Sequence, residues 1–159
     1  MRYIIPAVVL GVLLIYFIFT GGDETSEIET VFNEIIESVR KKDQEGVLEH
    51  FSIHYRDERG YNYLVIKKVV ESTFQEFDSL DGSYGNISAS LSEDENGEML
   101  AYTKIGVKVR GVKRGIPETL LGSDDSYDNI IVTLKKSTLG GWKIINIEGV
   151  DKYGDSGVY

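Results

Sequence analysis

Cysteine is absent from this chain of 159 residues. Its absence excludes a disulfide framework, a thiol nucleophile, a zinc site with cysteine ligands and a lipid-modified cysteine. Only two prolines interrupt the sequence, whereas 42% of the residues are hydrophobic and the aromatics include ten tyrosines and six phenylalanines. Such a composition is typical of one folded domain that is stabilised by packing rather than by crosslinks.

Basic residues are in deficit as well. The chain has 17 lysines and arginines against 26 acidic residues, which gives a net charge of −9. Residues 1–22 contain one charged side chain, Arg2, so the rest of the chain has 16 basic and 26 acidic residues, or −10. A surface of this charge repels phosphate backbones, and we therefore predict that the chain does not bind nucleic acid.

The longest stretch without charge covers residues 3–22, with Arg2 before it and Asp23 and Glu24 after it. As a helix, this segment reaches about the ~30 Å thickness of a hydrocarbon core. The flanking charges place its N-terminus in the cytoplasm. We expect a single-pass anchor in the cytoplasmic membrane, with the domain outside, in a periplasmic or extracellular position.

A cleaved signal peptide is the alternative for this segment, and cleavage would give a secreted protein. The apolar run exceeds the ~7–15 residues that are usual for a signal peptide, which favours the retained anchor. We accordingly divide the chain into an anchor or signal segment over 1–22, a folded domain over 23–153 and a flexible tail over 154–159.

The spacing of apolar residues predicts three helices at the start of the domain. Ser26 and Glu29 match a capping box, so the first helix is predicted to begin there. Asp43 is predicted to cap a short second helix, and a short strand over 52–57 ends in a turn over 57–60. The inner faces of the first and third helices are predicted to carry Ile28, Val31, Phe32, Ile35, Ile36 and Val39, and Tyr63, Ile66, Val70, Phe74 and Phe77.

From residue 83 onward the apolar residues alternate, which predicts antiparallel strands. Asn96-Gly97 and Gly140-Gly141 are hairpin turn signals, and residues 111–125 have the composition of a loop. Ile105, Val107 and Val109 are predicted to face the core. The predicted strands cover residues 84–93, 98–110, 127–136 and 142–150.

This order of elements resembles the nuclear-transport-factor-2-like superfamily, also called SnoaL-like. The resemblance covers about residues 26–151 and is carried by the segments 42–51, 55–60, 130–136 and 141–144. It implies an α+β, cone-like fold in which three N-terminal helices pack on a curved antiparallel sheet, here preceded by one transmembrane helix. It is less informative about activity, because this superfamily includes isomerases, dehydratases, transport factors and binding domains.

The resemblance also implies a candidate catalytic residue, Asp57. In ketosteroid-isomerase-like members an aspartate just before the turn abstracts a carbon-bound proton, and Asp57 occupies the matching position. The tyrosine that stabilises the oxyanion in those enzymes would fall at about Ile35 here. Because a missing donor costs such a reaction about 3–4 kcal/mol, we interpret Asp57 as a turn residue, with catalysis as the alternative.

No metal site or cofactor is predicted. His50 and His54 lie four residues apart, a spacing that suits a metal pair on a helix, but the predicted helix ends between them. Two ordinary histidines are the interpretation that we adopt.

Two further groups of residues are candidates for binding. Lys104, Lys108 and Arg110 form a predicted outward stripe that suits a homodimer or an envelope protein partner. A second group either lines a pocket for a small apolar ligand or fills the core; it consists of Tyr55, Asp57, Tyr63, Tyr102 and Trp142.

Taken alone, the sequence favours a membrane-anchored, extracytoplasmic, non-catalytic binding or protein-interaction module. The reason is that it offers one candidate base and no complete acid–base set. Two alternatives remain. The first is a small-molecule isomerase or dehydratase of the SnoaL-like type that uses Asp57 as base, and the second is a structural subunit of an envelope complex.

We predict that residues 3–22 stay attached in the mature protein, because the uncharged segment is long enough to span a membrane. Mass spectrometry of the membrane fraction tests this expectation. A mature N-terminus near Gly21 or Asp23 would contradict it.

Overall fold

A computed structural model describes residues 24–150 of the chain. The predicted anchor over 1–22 and the predicted tail over 154–159 therefore lie outside the described residues. Among the residues that are described, no helix is both long enough and apolar enough to cross a membrane.

Three helices come first, as predicted. Helix α1 is described over residues 24–41, so Ser26 lies within it and the prediction that it begins at this residue is wrong. Helix α2 covers Gln44–Leu48, and helix α3 covers Tyr63–Glu76. Asp43 caps α2 by accepting a hydrogen bond from the amide of Gly46 at 3.1 Å, as expected.

The strand predicted over 52–57 does not form. The segment touches the rest of the structure through single bridges, Phe51 with Ile144 and Arg56 with Asn62. The amide of Tyr55 donates to the carbonyl of Ser52 at 3.0 Å, which closes a turn inside the predicted strand. This turn prevents a continuous ladder.

A five-stranded antiparallel sheet follows the helices, with the order β1-β2-β4-β5. Strand β2 is long enough to pair with β4 through its first half and with β3 through its end. Register shifts in β1 at Gly85/Ser88 and in the β4–β5 pair at Thr133/Leu134 interrupt the ladder. The strands are β1 Ser79–Glu93, β2 Met99–Lys113, β3 Ile116–Leu121, β4 Asp128–Lys136 and β5 Trp142–Glu148.

Strand β3 lies where the sequence predicted a loop over 111–125. A tight turn at Arg114 and Gly115, with φ angles of 52° and 79°, folds it back on β2. Most of its residues are exposed, so they show no alternation of apolar and polar side chains. Its formation depends on backbone pairing with β2, which the sequence pattern does not report.

The core lies between α1 and the inner face of the sheet. Ile28, Val31 and Phe32 of α1 are buried, and they belong to one cluster with Ile105 and Leu134 of the sheet. The helix also contacts opposite parts of the sheet through its polar residues. Near its start, Glu27 accepts a hydrogen bond from the Trp142 indole at 3.0 Å, and near its end Arg40 pairs with Asp81 at 2.7 Å.

Close packing at the edge of this core predicts a large difference between two glycines of the sheet. A Cβ atom at Gly111 would lie 2.4 Å from Cδ1 of the buried Phe77, whereas a Cβ atom at Gly82 would lie 3.6 Å from Cγ1 of Ile36. We expect Gly111→Ala to lower the free energy of unfolding by about 1–3 kcal/mol through overpacking. Gly82→Ala should change it by less than about 0.5 kcal/mol or stabilise slightly. Urea unfolding of both variants measures the difference, and equal effects would contradict the packing described here.

Candidate functional site

A cavity of about 130 Å³ lies between α1 and the sheet. Its helix wall consists of Phe32, Ile35, Ile36 and Val39. Across from them, the sheet contributes the side chains of Tyr84, Ile105, Val107, Val109, Leu121 and Ile130. An engineered apolar cavity of about 150 Å³ binds benzene in another protein, so this cavity suits a ligand part of about one six-membered ring.

Tyr84 contributes its ring to this apolar wall, and its hydroxyl bonds on the exposed side to α1. Its ring packs against Phe32 with centroids 6.0 Å apart, and its hydroxyl donates to Oδ1 of Asn33 at 3.1 Å. Burial, together with the carboxylate of Glu29, raises the pKa of Tyr84 above its ordinary value. The hydroxyl therefore stays protonated at neutral pH and remains a hydrogen-bond donor.

The family resemblance places the hydroxyl that stabilises the oxyanion on α1, at about Ile35, which has no hydroxyl. In the structure the donor comes from β1, across the cavity from Ile35. The signal that was available is the alternation in β1, which predicts the face of each residue. Only the packing of β1 against α1 places Tyr84 opposite the helix.

Asp57 is held by four hydrogen bonds. Its Oδ1 accepts from the amides of Arg59 at 3.0 Å and Tyr61 at 2.9 Å. Its Oδ2 accepts from the Tyr55 hydroxyl at 3.2 Å and the Arg59 guanidinium at 3.1 Å. A carboxylate has about four lone-pair sites, and the side chain of Asp57 is 0% exposed. No acceptor position is left for a substrate proton in this arrangement.

Tyr55 links this turn to the core. Its side chain is buried, and its ring meets that of Phe51 edge-on at 5.5 Å. Burial, and secondly the charge of Asp57, raises the pKa of Tyr55 far above its ordinary value. The hydroxyl therefore stays protonated and donates to Asp57, and this hydrogen bond connects the turn to the domain interior.

The structure does not bring the five predicted pocket residues together. Tyr55 and Asp57 are in contact, but Tyr102 lies on the outer face of the sheet and is 45% exposed. Trp142 is buried beside α1, and Tyr63 packs against the core from the start of α3. None of the five lines the cavity next to Tyr84.

His50 lines a second cleft, which lies between α1 and the start of β5. Its Nε2 is 3.4 Å from Oε2 of Glu34 and 3.6 Å from Oε1 of Glu49. Burial lowers the pKa of His50 in spite of these carboxylates, so the imidazole is neutral at pH 7. His54 is exposed, and within residues 24–150 no group of three or more histidines and acidic residues is arranged to hold a metal ion.

The predicted stripe of Lys104, Lys108 and Arg110 lies on the outer face of β2. Lys108 donates to the carbonyl of Asp124 at 3.0 Å, and Arg110 pairs with the carboxylate of Asp124 at 3.0 Å. Two of the three cations therefore hold the loop before β4. A role of the stripe in partner binding remains a prediction.

No protein-family model and no curated protein matches this sequence. Solved structures do match. A candidate scytalone dehydratase from Novosphingobium aromaticivorans has a TM-score of 0.66 and 17% identity, over 81% of this chain and 84% of that one. A candidate aromatic ring hydroxylase from the same organism has a TM-score of 0.61 and 16% identity, over 76% and 82% of the two chains.

A third similar structure is an NTF2-like protein with a cystatin-like fold, also from Novosphingobium aromaticivorans. It has a TM-score of 0.60 and 13% identity, over 93% of this chain and 89% of that one. These likenesses confirm the predicted α+β, nuclear-transport-factor-2-like fold. The prediction of a non-catalytic binding module is contradicted, since two of these three similar structures are named for enzymes.

The hydrogen bonds of Asp57 predict a structural effect of its substitution. In Asp57→Asn one oxygen becomes an NH₂ group, which can no longer accept from its two donors. We expect the free energy of unfolding to fall by about 2 kcal/mol, the range for hydrogen bonds to a charged group. Glu58→Gln, an exposed neighbour, is the matched control and should stay within about 0.5 kcal/mol. Thermal and urea unfolding measure both, and an unchanged Asp57→Asn variant would contradict the role as a turn fastener.

Proposed function

We propose that this domain binds a small, mainly apolar organic molecule in the cavity between α1 and the sheet and catalyses its isomerisation or dehydration. The observation that carries the proposal is the apolar cavity itself, whose wall includes the ring of Tyr84, a residue with a hydroxyl bonded to Asn33 of α1. A protonated donor in such surroundings is suited to stabilising negative charge on a substrate oxygen.

Binding depends on the apolar walls. Phe32, Ile35 and Ile36 on the helix side face Ile105 and Val107 on the sheet side, so a ring or short alkyl body would be removed from water on both faces. The volume of about 130 Å³ favours a compound with one ring inside the cavity.

The chemistry depends on Tyr84. Isomerisation of a ketone begins when a base removes a proton from the carbon next to the carbonyl, and the electron pair moves to the carbonyl oxygen. Dehydration follows the same first step, after which the electron pair forms a C=C bond and hydroxide leaves from the next carbon, taking the proton that the base holds to become water. In both reactions the Tyr84 hydroxyl would donate a hydrogen bond to the developing oxyanion. This hydrogen bond is stronger in a cavity of low dielectric constant than in water.

Glu29 is our candidate for the base. It lies one helical turn before Asn33, the acceptor of Tyr84, and its negative charge contributes to the raised pKa of Tyr84, although Glu29 is not among the residues that line the cavity. Asp57 is the base that the family resemblance implies, but its four acceptor positions are filled. We therefore assign Asp57 to the fold and not to proton transfer.

Two independent considerations support the class of reaction. Scytalone dehydratase, the name given to one similar structure, describes a dehydration, whereas aromatic ring hydroxylase, the name given to another, agrees with the proposed reaction only in acting on a small molecule. Proton transfer between a carbon acid, a carboxylate and a phenol also balances with these side chains alone.

As part of the same proposal, residues 3–22 hold the domain at the outer face of the cytoplasmic membrane.

The test is exchange of the α-proton of monocyclic ketones for deuterium, followed by NMR. We expect Tyr84→Phe to lower the exchange rate by about 100-fold or more, the usual effect of losing one oxyanion donor. Tyr102→Phe is the matched control, because it removes the same hydroxyl from the exposed outer face and should leave the rate unchanged.

Two further results bear on the assignment. Since the pKa of Tyr84 is raised, its donor form persists, and any alkaline loss of rate should begin above about pH 10. Glu29→Gln should also slow exchange. Wild-type exchange that survives in Tyr84→Phe would contradict the proposed site, and no exchange by the wild-type protein would contradict the proposed reaction class.

A further inference from the structure

A cleft of about 760 Å³ lies at the β4–β5 end of the sheet. It is bounded by the ends of β4 and β5 and by the segment over 52–56, which runs beside β5. It shares no residue with the apolar cavity. Any ligand held there would be separate from the substrate of the proposed reaction.

The charged residues of this cleft are mainly basic. Four cations line it, and Glu98 is the one acidic residue among its lining side chains. The four cations are Arg56, Lys135, Lys136 and Lys143.

Two of the cations are neutralised by neighbouring carboxylates. Lys135 contacts Glu98 and Asp94, and Lys136 contacts Glu24 and Glu27. These pairs shape the wall of the cleft but contribute little net charge.

Arg56 and Lys143 have no carboxylate partner among residues 24–150. Lys143 donates to the backbone carbonyl of Glu49, and the guanidinium of Arg56 makes no hydrogen bond or ion pair within residues 24–150. An arginine that is not paired offers five donors in a planar fork, which fits two oxygens of one anion.

The backbone of Arg56 is fixed although its head group is free. Its amide donates to the carbonyl of Ile145 at 3.0 Å, and its carbonyl accepts from Nδ2 of Asn146 at 3.3 Å. The residue is thereby anchored to β5 at the edge of the cleft. A ligand would need to order only the side chain, which reduces the entropy lost on binding.

We propose that this cleft binds a small phosphate compound with two or more negative charges. Arg56 and Lys143 would supply the positive charge, and the hydroxyl groups of Ser52, Ser137 and Thr138 would supply further donors to phosphate oxygens. The volume exceeds that of a phosphate group alone, so an organic part accompanies the phosphate.

The size of the ligand follows from the charge distribution. An extended polyanion such as a nucleic acid would lie against the acidic remainder of the domain and be repelled. A small anion inside the cleft interacts mainly with the cations that line it, because charges farther away than about 10 Å are screened at ordinary salt.

The experiment measures binding of inorganic pyrophosphate to the full chain by calorimetry in a buffer of about 0.1 M ionic strength, at which charges beyond about 10 Å are screened. Citrate, which carries similar charge on carboxylates, is the comparison anion. We expect Arg56→Gln to raise the Kd for pyrophosphate at least tenfold, which corresponds to about 1.4 kcal/mol. Arg114→Gln is the matched control, since it removes an equally exposed arginine at the β2–β3 turn. It should change the Kd by less than twofold.

Lys143→Gln provides a second variant, and it should weaken pyrophosphate binding in the same direction as Arg56→Gln. Thermal unfolding of all three variants confirms that each is folded. Failure of the wild-type chain to bind pyrophosphate at millimolar concentration would overturn the proposal. Equal weakening by Arg56→Gln and Arg114→Gln would show attraction by net charge without a site, and tighter binding of citrate would overturn the assignment to phosphate.

Discussion

The packing of α1 against the inner face of the sheet is the contact on which the rest of the structure depends. Ile28, Val31 and Phe32 bury one end of the helix stripe, while Ile35, Ile36 and Val39 continue it toward β1. Ile28, Val31 and Phe32 belong to the core between the helix and the sheet. Ile35, Ile36 and Val39 line the cavity between the same two elements. One apolar surface therefore both stabilises the fold and forms the wall of the candidate site.

Asp57 and Tyr84 differ in how many of their hydrogen-bonding positions are occupied. Asp57 has all of its acceptor positions filled by Tyr55, Arg59 and Tyr61, which makes its carboxylate a fastener of the turn. Tyr84 has one partner, Asn33, and its ring forms part of a cavity wall. A group with a single exchangeable partner is better suited to meeting a substrate than one that is fully satisfied.

The two faces of the sheet offer different chemistry, because neighbouring residues of a strand point to opposite sides. The inner face carries Ile105 and Val107 toward the cavity. The outer face carries Tyr102 and the cations that meet the loop at Asp124. An apolar reaction site and a basic cleft can therefore exist in one domain without sharing a side chain.

The sequence by itself determined the class of the fold, since the helical spacing from Ile28 to Val39 and the alternation from residue 83 onward are local properties of the chain. It also identified the cap at Asp43 and the turn at Asp57, where one side chain bonds to backbone a few residues away. Tertiary structure alone decided the rest. Strand β3 forms because β2 offers it a partner, Tyr102 and Trp142 lie on opposite faces because of their register, and Tyr84 meets α1 because β1 packs against the helix. These positions depend on pairing and packing between segments far apart in the chain, for which a single sequence carries no local signal.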